Sequence, residues 1–439
     1  MKRVLVLGSG LVIDPLLRYL LDQGLEVVVA SLNYRRAARL MAGYPNGRAV
    51  AFDVEDRAGL TRLVDASDAV ASLLPWSLHP KVAEVCLARR KHLVTTSYTS
   101  DTMRRLDGAA READLLFLNE CGLDPGLDHM TAMRILDRVR AQGGEVLEFL
   151  SDCGGLPAPQ SNTNPFGYKV SWSPRGVALA GRNGARYLRD GEVVEIPPGK
   201  IFEDVERRTV AGLGDFEVYP NRDSLPYLDT YGLHGVRTFK RGTLRNLGWC
   251  QTWEVLVALG LLDEKPDERL AGKSPRDIVR LIAGLTQANP VAEVAARTGL
   301  SPTSDALQRL VWLGLFEDEG PKDCSSPLDL LSNLMEQKLA YGRNEQDLII
   351  LQHIFVVRYP SGARQRITST LCETGQRRGH RAMARTVALP AAIALRLLLE
   401  GRLELRGAQI PIHPQLYGPI LDELAGLGIE ARETVEELS

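Results

Sequence analysis

The stretch Arg3–Pro15 reads RVLVLGSGLVIDP and decides the fold of the first part of the chain. Its apolar run predicts a buried strand, Gly8 and Gly10 predict a tight turn, and Pro15 marks the start of a helix. Glycines at such a turn let a pyrophosphate approach the backbone, and the free amides of a helix N-terminus favour its charge. Ile13 replaces the third glycine of the dinucleotide-binding fingerprint, so a plain strand-to-helix turn is the alternative.

Short apolar runs alternate with helical patterns through the first part of the sequence. The runs are RVLVLG, LEVVVAS, RAVAFD, DAVASLLP, HLVTTS and LLFLNE. Continuous Val and Leu runs between helices are typical of a parallel sheet that is covered on both faces. The predicted fold class is therefore α/β, and the position of the glycine turn after the first run makes it a Rossmann-type parallel sheet domain.

The composition and the hydrophobic pattern of the sequence change after the sixth apolar run. Residues 145–262 are rich in Gly, Pro and Asn, residues 263–346 show helical patterns, and a hairpin pattern follows. Long polar loops in a compact protein are usually functional. We predict a dinucleotide-binding domain of residues 1–124 and 381–439, a substrate-binding α/β domain with a mixed sheet of residues 125–262 and 347–380, and a small all-helical subdomain of residues 263–346.

The composition and the net charge indicate which class of partner the protein binds. The chain has 439 residues, 44% of them hydrophobic and 25% charged, and a formal net charge of −2. Such a chain lacks the basic field that holds nucleic acid or an anionic membrane, and no run is long enough to span a bilayer. The 6 cysteines show no CxxC spacing, which favours reduced thiols and a cytoplasmic location. A small molecule is the expected partner.

Residues that follow the apolar runs are candidate site residues, because ligands of parallel α/β sheets bind beyond the carboxyl ends of the strands. Thr96 and Ser97 follow the fifth run, and Asn119 to Asp124 follow the sixth. The second run ends in ASLNYRR, without the acid that usually binds the ribose of NAD. Arg35 and Arg36 suit a 2′-phosphate instead, so we expect NADP, with NAD as the alternative.

The stretch NECGLDPGLDHM, residues 119–130, combines acids, a thiol and a histidine. Gly122, Pro125 and Gly126 bend the chain between these groups, and neither HxxxH nor HExxH is present, so we predict no metal site. We interpret the stretch as a bent loop over the nicotinamide, with Asp124 in the cleft and Asp128 capping the next helix. His79 and His129 could also serve as general bases, but we expect His79 to start a helix and His129 to pack at the head of one.

Several long motifs follow one another along the chain: LGSGLVIDP, SLLPWSLHPKVAEVC, TTSYTSDTMRRLD, NECGLDPGLDHM, CGGLPAPQSNTNPFGYKVSWSPRGV, YPNRDS, RGTLR and AMARTVALPAAIALRLLLEG. In this order they closely resemble the glutamate-forming saccharopine dehydrogenase family, also called saccharopine reductase. The resemblance extends from the first strand to about residue 428 and includes the C-terminal half of the animal bifunctional aminoadipic semialdehyde synthase.

The resemblance implies an oxidoreductase of lysine metabolism that acts on a CH–NH group. Saccharopine, NAD(P) and water would give glutamate, 2-aminoadipate 6-semialdehyde and reduced coenzyme. Cofactor contacts carry over onto Ser9, Gly10, Leu11, Val12, Ser31, Leu32, Asn33, Asp53, Val54, Leu74, Ser97, Leu123, Asp124 and Pro125. Substrate contacts carry over onto Ser97, Tyr98, Asp124, Arg222, Thr243, Leu244 and Arg245.

One position departs from the family. NADP-using members carry an arginine and animal NAD-using members an aspartate where this chain has Leu32. The motif therefore leaves the coenzyme preference open between NADP and NAD.

The chemistry of saccharopine agrees with these residues. The substrate carries three carboxylates, and the planar fork of arginine suits carboxylates better than lysine does; Arg222 and Arg245 are the candidates. Oxidation beside a secondary amine requires a neutral amine, and water must then attack the imine. Tyr98 and Asp124 are candidates for holding the amine or that water, with Cys153 lining the site.

Three other interpretations are open at this stage. The pattern of residues 291–316 is typical of a helix-turn-helix, and a chain with this motif could be a nucleotide-sensing regulator. However, the positive and negative charges of this segment nearly cancel, so it is unsuited to binding DNA phosphates. Within the enzymes, the alternative is a carboxynorspermidine dehydrogenase-like imine reductase that acts on a carboxylated polyamine. The third is a catalytically idle subunit. A homodimer is the candidate assembly.

Overall fold

The structure, a computed structural model, describes residues 1–439. The chain divides into two compact units, each made of two segments. Unit 1 comprises Met1–Gly143 and Arg378–Arg432, and unit 2 comprises Gly144–Arg377 and Glu433–Ser439.

The strands are β1 (Arg3–Leu7), β2 (Glu26–Ser31), β3 (Gly47–Ala51), β4 (Ala69–Ser72), β5 (His92–Thr95), β6 (Leu116–Leu118), β7 (Glu145–Pro157), β8 (Ala185–Arg189), β9 (Glu192–Ile196), β10 (Glu206–Val210), β11 (Gly214–Pro220), β12 (Thr238–Arg245), β13 (Asp347–Arg358), β14 (Arg364–Thr374), β15 (Gly407–Gln409) and β16 (Ala431–Leu438).

The helices are α1 (Asp14–Asp22), α2 (Tyr34–Met41), α3 (Arg57–Asp65), α4 (His79–Ala88), α5 (Asp101–Arg105), α6 (Asp107–Glu112), α7 (Leu127–Ala141), α8 (Pro174–Ala180), α9 (Pro226–Tyr231), α10 (Trp249–Ala258), α11 (Pro275–Ala283), α12 (Pro290–Thr298), α13 (Asp305–Leu313), α14 (Pro327–Lys338), α15 (Ala382–Leu399) and α16 (Pro414–Gly426).

Unit 1 is built on a parallel sheet of the Rossmann type. Its 7 strands follow the order β15-β6-β5-β4-β1-β2-β3, and every neighbouring pair is parallel. The inner strands are buried nearly throughout, as in β1 and β4, because helices cover both faces. The edge strand β3 is only partly buried. The order reverses between β1 and β4, and such a switch point is where parallel α/β sheets bind ligands. The predicted fold class is confirmed for this unit.

The end of the first segment of unit 1 differs from the predicted boundary at residue 124. Unit 1 extends to Gly143 because α7 packs on it. Arg134 of α7 forms an ion pair with Asp422 of α16, and the Tyr417 hydroxyl donates to Asp137. The end of the chain also differs, since residues 433–439 belong to unit 2, where β16 extends the sheet beside β14 and Glu436 pairs with Arg366.

Helix α15 is long and apolar enough, by length and composition alone, to cross a membrane. The sequence-based statement that no run is long enough to do so is therefore wrong by this test. However, 78% of the helix is buried inside the protein, as a core helix would be. The helix packs within unit 1 against α1 and gives only weak support for a membrane span.

Unit 2 contains a mixed sheet, as predicted. The main path runs β10-β11-β12-β7-β13-β14-β16, with β8 and β9 joined beside β12. Strands β12 and β7 are parallel, whereas β11–β12, β7–β13 and β13–β14 are antiparallel.

The helices of unit 2 share one hydrophobic core. Trp249 and Trp253 of α10 belong to the same buried cluster as Leu307 of α13 and Leu331 of α14. Helices α11–α14 therefore belong to unit 2, and the chain has no third compact unit. The all-helical subdomain of residues 263–346 stays a prediction.

Candidate active site

The turn between β1 and α1 has the geometry that a dinucleotide pyrophosphate needs. Gly8 has φ of 102°, and an added Cβ would lie 3.1 Å from the Leu73 carbonyl oxygen, so only glycine suits this position. Around Gly10 an added Cβ would meet nothing within 4 Å. No side chain caps α1. The residues present therefore fit the coenzyme, with open space at Gly10 and uncapped amides at the helix start.

The end of β2 lies beside this turn. The Ser9 and Ser31 hydroxyls are hydrogen-bonded at 2.8 Å, and both residues are buried. Leu32 is 78% exposed. The Asn33 side chain caps α2 by accepting from the Arg36 backbone amide at 3.0 Å. No carboxylate follows this strand, as the sequence indicated.

The other predicted cofactor residues follow their strands at the same edge of the sheet. Parallel pairing brings the carboxyl ends of the strands of unit 1 together at that edge. Leu11 and Val12 complete the first turn, and the remaining residues follow the later strands: Asp53 and Val54 after β3, Leu74 after β4, Thr96 and Ser97 after β5, and Leu123, Asp124 and Pro125 after β6. Their roles as coenzyme contacts stay predictions.

His79 links two strand ends through a pair of hydrogen bonds. It is the first residue of α4, as the sequence indicated, and it is 2% exposed. Its Nδ1 lies 2.9 Å from the Ser72 hydroxyl, and its Nε2 lies 3.0 Å from the Ser97 hydroxyl. Burial lowers the pKa of His79 to about 4, so the ring is neutral near pH 7. The neutral ring orients the hydroxyl of a candidate site serine.

We expect His79 to make the stability of the protein depend on pH. The unfolded chain binds a proton at an ordinary histidine pKa near 6.5, but the folded ring does so only at about 4. Stability is therefore full above about pH 6.5 and decreases as the pH falls towards 4, by on the order of 3 kcal/mol. Thermal unfolding midpoints of the wild type and His79→Gln between pH 7 and 4 measure this. Parallel curves for the two proteins would contradict it.

Glu120 and His129 form a buried hydrogen-bonded pair behind the loop that follows β5. His129 Nε2 lies 2.8 Å from Glu120 Oε2, and both side chains are at most 2% exposed. Glu120 Oε1 accepts from the backbone amide and the hydroxyl of Thr99. Burial alone would raise the pKa of Glu120, but the bonds from His129 and Thr99 outweigh it and lower the pKa to about 2. The ionised carboxylate therefore fixes the segment next to Tyr98.

Glu120 also adopts an unusual backbone conformation. Its φ is 56°, in the left-handed region, which costs a non-glycine residue about 1 kcal/mol or more. The hydrogen bonds of its carboxylate offset this strain. The backbone amide of Glu120 donates to the Ser97 carbonyl, so the loops after β5 and β6 are joined at Ser97 as well as at Thr99.

The structure brings Tyr98 and Asp124 into contact, while their roles towards a substrate stay predictions. The Tyr98 hydroxyl donates to Asp124 Oδ1 at 2.7 Å. Asp124 precedes Pro125 through a cis peptide bond. Gly126 has φ of 145°, and an added Cβ would lie 2.1 Å from the Gly122 carbonyl oxygen. Only glycine suits that position, which explains the bend that the sequence predicted.

Asp128 does not cap α7 in the way that the sequence indicated. The N-cap position belongs to Gly126, and Asp128 lies inside the first turn, where its Oδ1 accepts from the Gly126 amide at 2.5 Å. His129 packs in the same turn and is fully buried, as expected. No group of three or more His, Cys, Asp or Glu side chains is arranged to hold a metal ion.

In unit 2, three of the predicted substrate residues lie on the sheet. Thr243, Leu244 and Arg245 end β12, and Thr243 pairs in register with Cys153 of β7. Cys153 is 7% exposed and belongs to no disulfide. The parallel pairing places Thr243 and Cys153 side by side.

Arg245 is a buried cation without an acidic partner. It is 6% exposed, and its Cζ lies 5.3 Å from the ring centroids of Tyr168 and Trp249. Its Nη1 donates to the Leu244 carbonyl, and its Nε has no hydrogen-bond partner. Glu217, opposite it in register, accepts instead from the amides of Gly248 and Cys250.

Arg222 has a different setting. It is exposed, its φ is 60°, and its carbonyl accepts from the Arg186 amide. The structure thus places the two predicted arginines of unit 2 in unlike environments, one buried and one at the surface.

Sequence reasoning missed the supporting roles of His79 and Glu120. The sequence presented His79 as a helix start or a general base, and Glu120 only as one of the acids of a metal site that was not predicted. Strand order in the sheet determines which residues they contact, namely Ser72, Ser97 and His129. No local sequence pattern predicts these contacts. The spacing of Glu120 from His129 across a Gly/Pro bend was the only available signal.

A Rossmann sheet with an open glycine turn, joined in sequence to a mixed α/β unit, defines a dinucleotide-dependent oxidoreductase class. Residues 4–118 match the saccharopine dehydrogenase NADP binding domain, and residues 122–429 match the saccharopine dehydrogenase C-terminal domain. The chain belongs to the saccharopine dehydrogenase family, and its fold and NADP-binding domain are those that the sequence resemblance implied.

Relatives and a solved structure cover the whole chain. Saccharopine dehydrogenase (NADP(+), L-glutamate-forming) of Pyricularia oryzae is 37% identical over 99% of both chains. Mitochondrial alpha-aminoadipic semialdehyde synthase of Mus musculus is 37% identical over 98% of this chain and 47% of its own length. The apo saccharopine dehydrogenase (L-Glu forming) structure from Saccharomyces cerevisiae has a TM-score of 0.88 and 33% identity, over 99% of this chain and 100% of that one.

Proposed function

We propose that this protein is an L-glutamate-forming saccharopine dehydrogenase. It oxidises saccharopine with NADP and water to glutamate and 2-aminoadipate 6-semialdehyde, reversibly, in lysine metabolism. The names of the full-length relatives support this reaction, which is an oxidation at a CH–NH group.

The observation in this chain that carries the proposal is the buried, acid-free setting of Arg245. A buried guanidinium without a carboxylate is unfavourable by itself. A carboxylate of the substrate would supply the missing charge and hydrogen-bond acceptors in the planar geometry that arginine prefers. A substrate with several carboxylates therefore fits this unit better than a neutral or cationic one.

The proposed roles in unit 1 divide between holding the coenzyme and handling the amine. The strand-end residues named above hold NADP, which when bound accepts a hydride from the carbon beside the amine. Tyr98 and Asp124 hold the secondary amine, or the water that attacks the imine, and Asp124 can receive a proton at Oδ1 or Oδ2. His79 and Glu120 fix the loop that carries Ser97, Tyr98 and Thr99.

The alternative substrate is a carboxylated polyamine such as carboxynorspermidine. It is formed by reduction of an imine, which is the same chemistry in the opposite direction, but the molecule has fewer carboxylates to place on arginine. The full-length relatives do not favour it.

Initial rates with purified protein test the proposal. Saccharopine and carboxynorspermidine are each offered with NADP and with NAD, and the reduced coenzyme is followed by its absorbance. We expect turnover of saccharopine with NADP. Turnover of the polyamine alone, or of neither compound by protein that still binds NADPH, would contradict the proposal.

Location and assembly are further parts of the proposal. A cytoplasmic location is supported by six cysteines that form no disulfide, the condition usual for reducing compartments. A homodimer is the assembly we propose to test, by light scattering coupled to gel filtration. A single monomeric mass across the working concentration range would contradict it.

A further inference from the structure

We propose that Arg36 is the residue that selects NADP over NAD by binding the 2′-phosphate. The proposal rests on the proposed function only in taking NADP as the coenzyme. It assigns the selection neither to Leu32, the residue that follows β2, nor to Arg35, which the sequence presented together with Arg36.

Arg36 reaches from α2 to the glycine turn. Its Nη2 donates to the Gly10 carbonyl at 3.2 Å. Gly10 lies between β1 and α1, whereas Arg36 lies in the first turn of α2, the helix that follows β2. In a Rossmann-type unit the adenosine ribose lies beside the ends of the first two strands. The guanidinium of Arg36 thus spans the place where a 2′-phosphate would be attached.

The guanidinium of Arg36 also has N–H groups that are available to donate further hydrogen bonds. Its Nε is buried without a hydrogen-bond partner, and the Gly10 carbonyl is the acceptor that it does use. A phosphate offers charged acceptor oxygens that match the arginine fork. A 2′-hydroxyl offers one neutral oxygen, so the phosphate gains more from this arginine than the hydroxyl does.

The local hydrogen bonds hold Arg36 in place. Asn33 Oδ1 accepts from the Arg36 amide at 3.0 Å, and the Asn33 amide donates to the Ser31 hydroxyl at 3.1 Å. Ser31 is in turn hydrogen-bonded to Ser9 of the glycine turn. These bonds fix the backbone of Arg36 relative to Gly10, which reduces the ordering cost of binding.

The neighbouring side chains do not offer the same site. Leu32 is apolar and 78% exposed, so it brings no charge to the ribose. Arg35 is exposed and makes none of the contacts to the glycine turn that Arg36 makes. Arg35 is therefore a matched control, because it has the same charge and lies one position away in the same helix turn.

The test uses fragments of the coenzyme and direct binding. Calorimetric titrations of 2′,5′-ADP and 5′-AMP into the wild type, Arg36→Ala, Arg36→Lys and Arg35→Ala give the preference for the phosphate. We expect the wild type to bind 2′,5′-ADP more tightly by roughly 10- to 150-fold, the range of charge-assisted hydrogen bonds. Arg36→Ala should lose that preference and keep its AMP affinity, Arg36→Lys should keep part of it, and Arg35→Ala should keep nearly all.

The outcomes separate this inference from the proposed reaction. The fragments contain neither nicotinamide nor substrate, so a protein that fails to oxidise saccharopine can still show the predicted preference. An Arg36→Ala protein that keeps the preference for 2′,5′-ADP, or an Arg35→Ala protein that loses it, would overturn the assignment. A wild type that binds both fragments equally would overturn it as well.

Discussion

Replacing Arg245 with methionine is expected to lower kcat/KM for saccharopine by roughly 30- to 5,000-fold, the equivalent of about 2 to 5 kcal/mol for a lost buried charge contact. The same change should leave the thermal unfolding midpoint equal to that of the wild type or higher. Loss of activity without loss of stability is the signature of a residue kept for a ligand.

The physical reason lies in the surroundings of Arg245. Its guanidinium is buried against the Tyr168 and Trp249 rings and its Nε lacks a partner. Methionine keeps much of the volume and removes a charge whose burial is not compensated in the ligand-free protein. The substrate carboxylate then loses the guanidinium as its charged, bidentate hydrogen-bond donor.

Arg309→Met is the matched control for this prediction. Arg309 donates to the backbone carbonyls of Pro165, Leu247 and Gly248, so its removal leaves acceptors unsatisfied and should lower the unfolding midpoint. Its effect on KM should be small. Steady-state kinetics and thermal unfolding of both variants are the measurements, and a destabilised Arg245→Met protein with unchanged kcat/KM would contradict the assignment.

Replacing Asp124 with asparagine is expected to lower kcat by roughly 10²- to 10⁴-fold, the contribution typical of a positioned acid/base group. The amide can still accept the hydrogen bond that Tyr98 donates at 2.7 Å. It cannot take a proton from the amine or from the attacking water. Coenzyme affinity should change little, because the backbone of the loop is unaltered.

Asp137→Asn is the control, since Asp137 also accepts a hydrogen bond from a tyrosine, Tyr417, in the same unit. It lies in α7, away from the strand ends, and should leave kcat near the wild-type value. Tyr98→Phe and the double variant Tyr98→Phe/Asp124→Asn show whether the two groups act together, in which case their effects are not additive. An Asp124→Asn protein with near-normal kcat across the pH range would contradict the role.

Local sequence patterns were sufficient for the cofactor half of the fold. The alternation of apolar runs and helices predicted the parallel sheet, and Gly8 predicted the turn, because both depend on neighbours in sequence. The end of unit 1 was not predictable in this way. It depends on the contact of Arg134 with Asp422, which are 288 residues apart.

The candidate site shows the same limit. Motifs located Tyr98, Asp124 and Arg245, but they did not show that Arg245 is buried without an acid or that Glu120 holds Thr99. These properties follow from strand register and packing. Likewise, the sequence presented Arg35 and Arg36 as equivalent, and only the contact with Gly10 distinguishes them.

The most direct test of the central claim is to identify the products of saccharopine oxidation by mass spectrometry while reduced coenzyme is counted. The account predicts one glutamate and one aminoadipate semialdehyde for each NADPH, because the hydride leaves the carbon on the aminoadipate side of the amine. Formation of lysine and 2-oxoglutarate instead would mean oxidation on the other side of that nitrogen and would contradict the account.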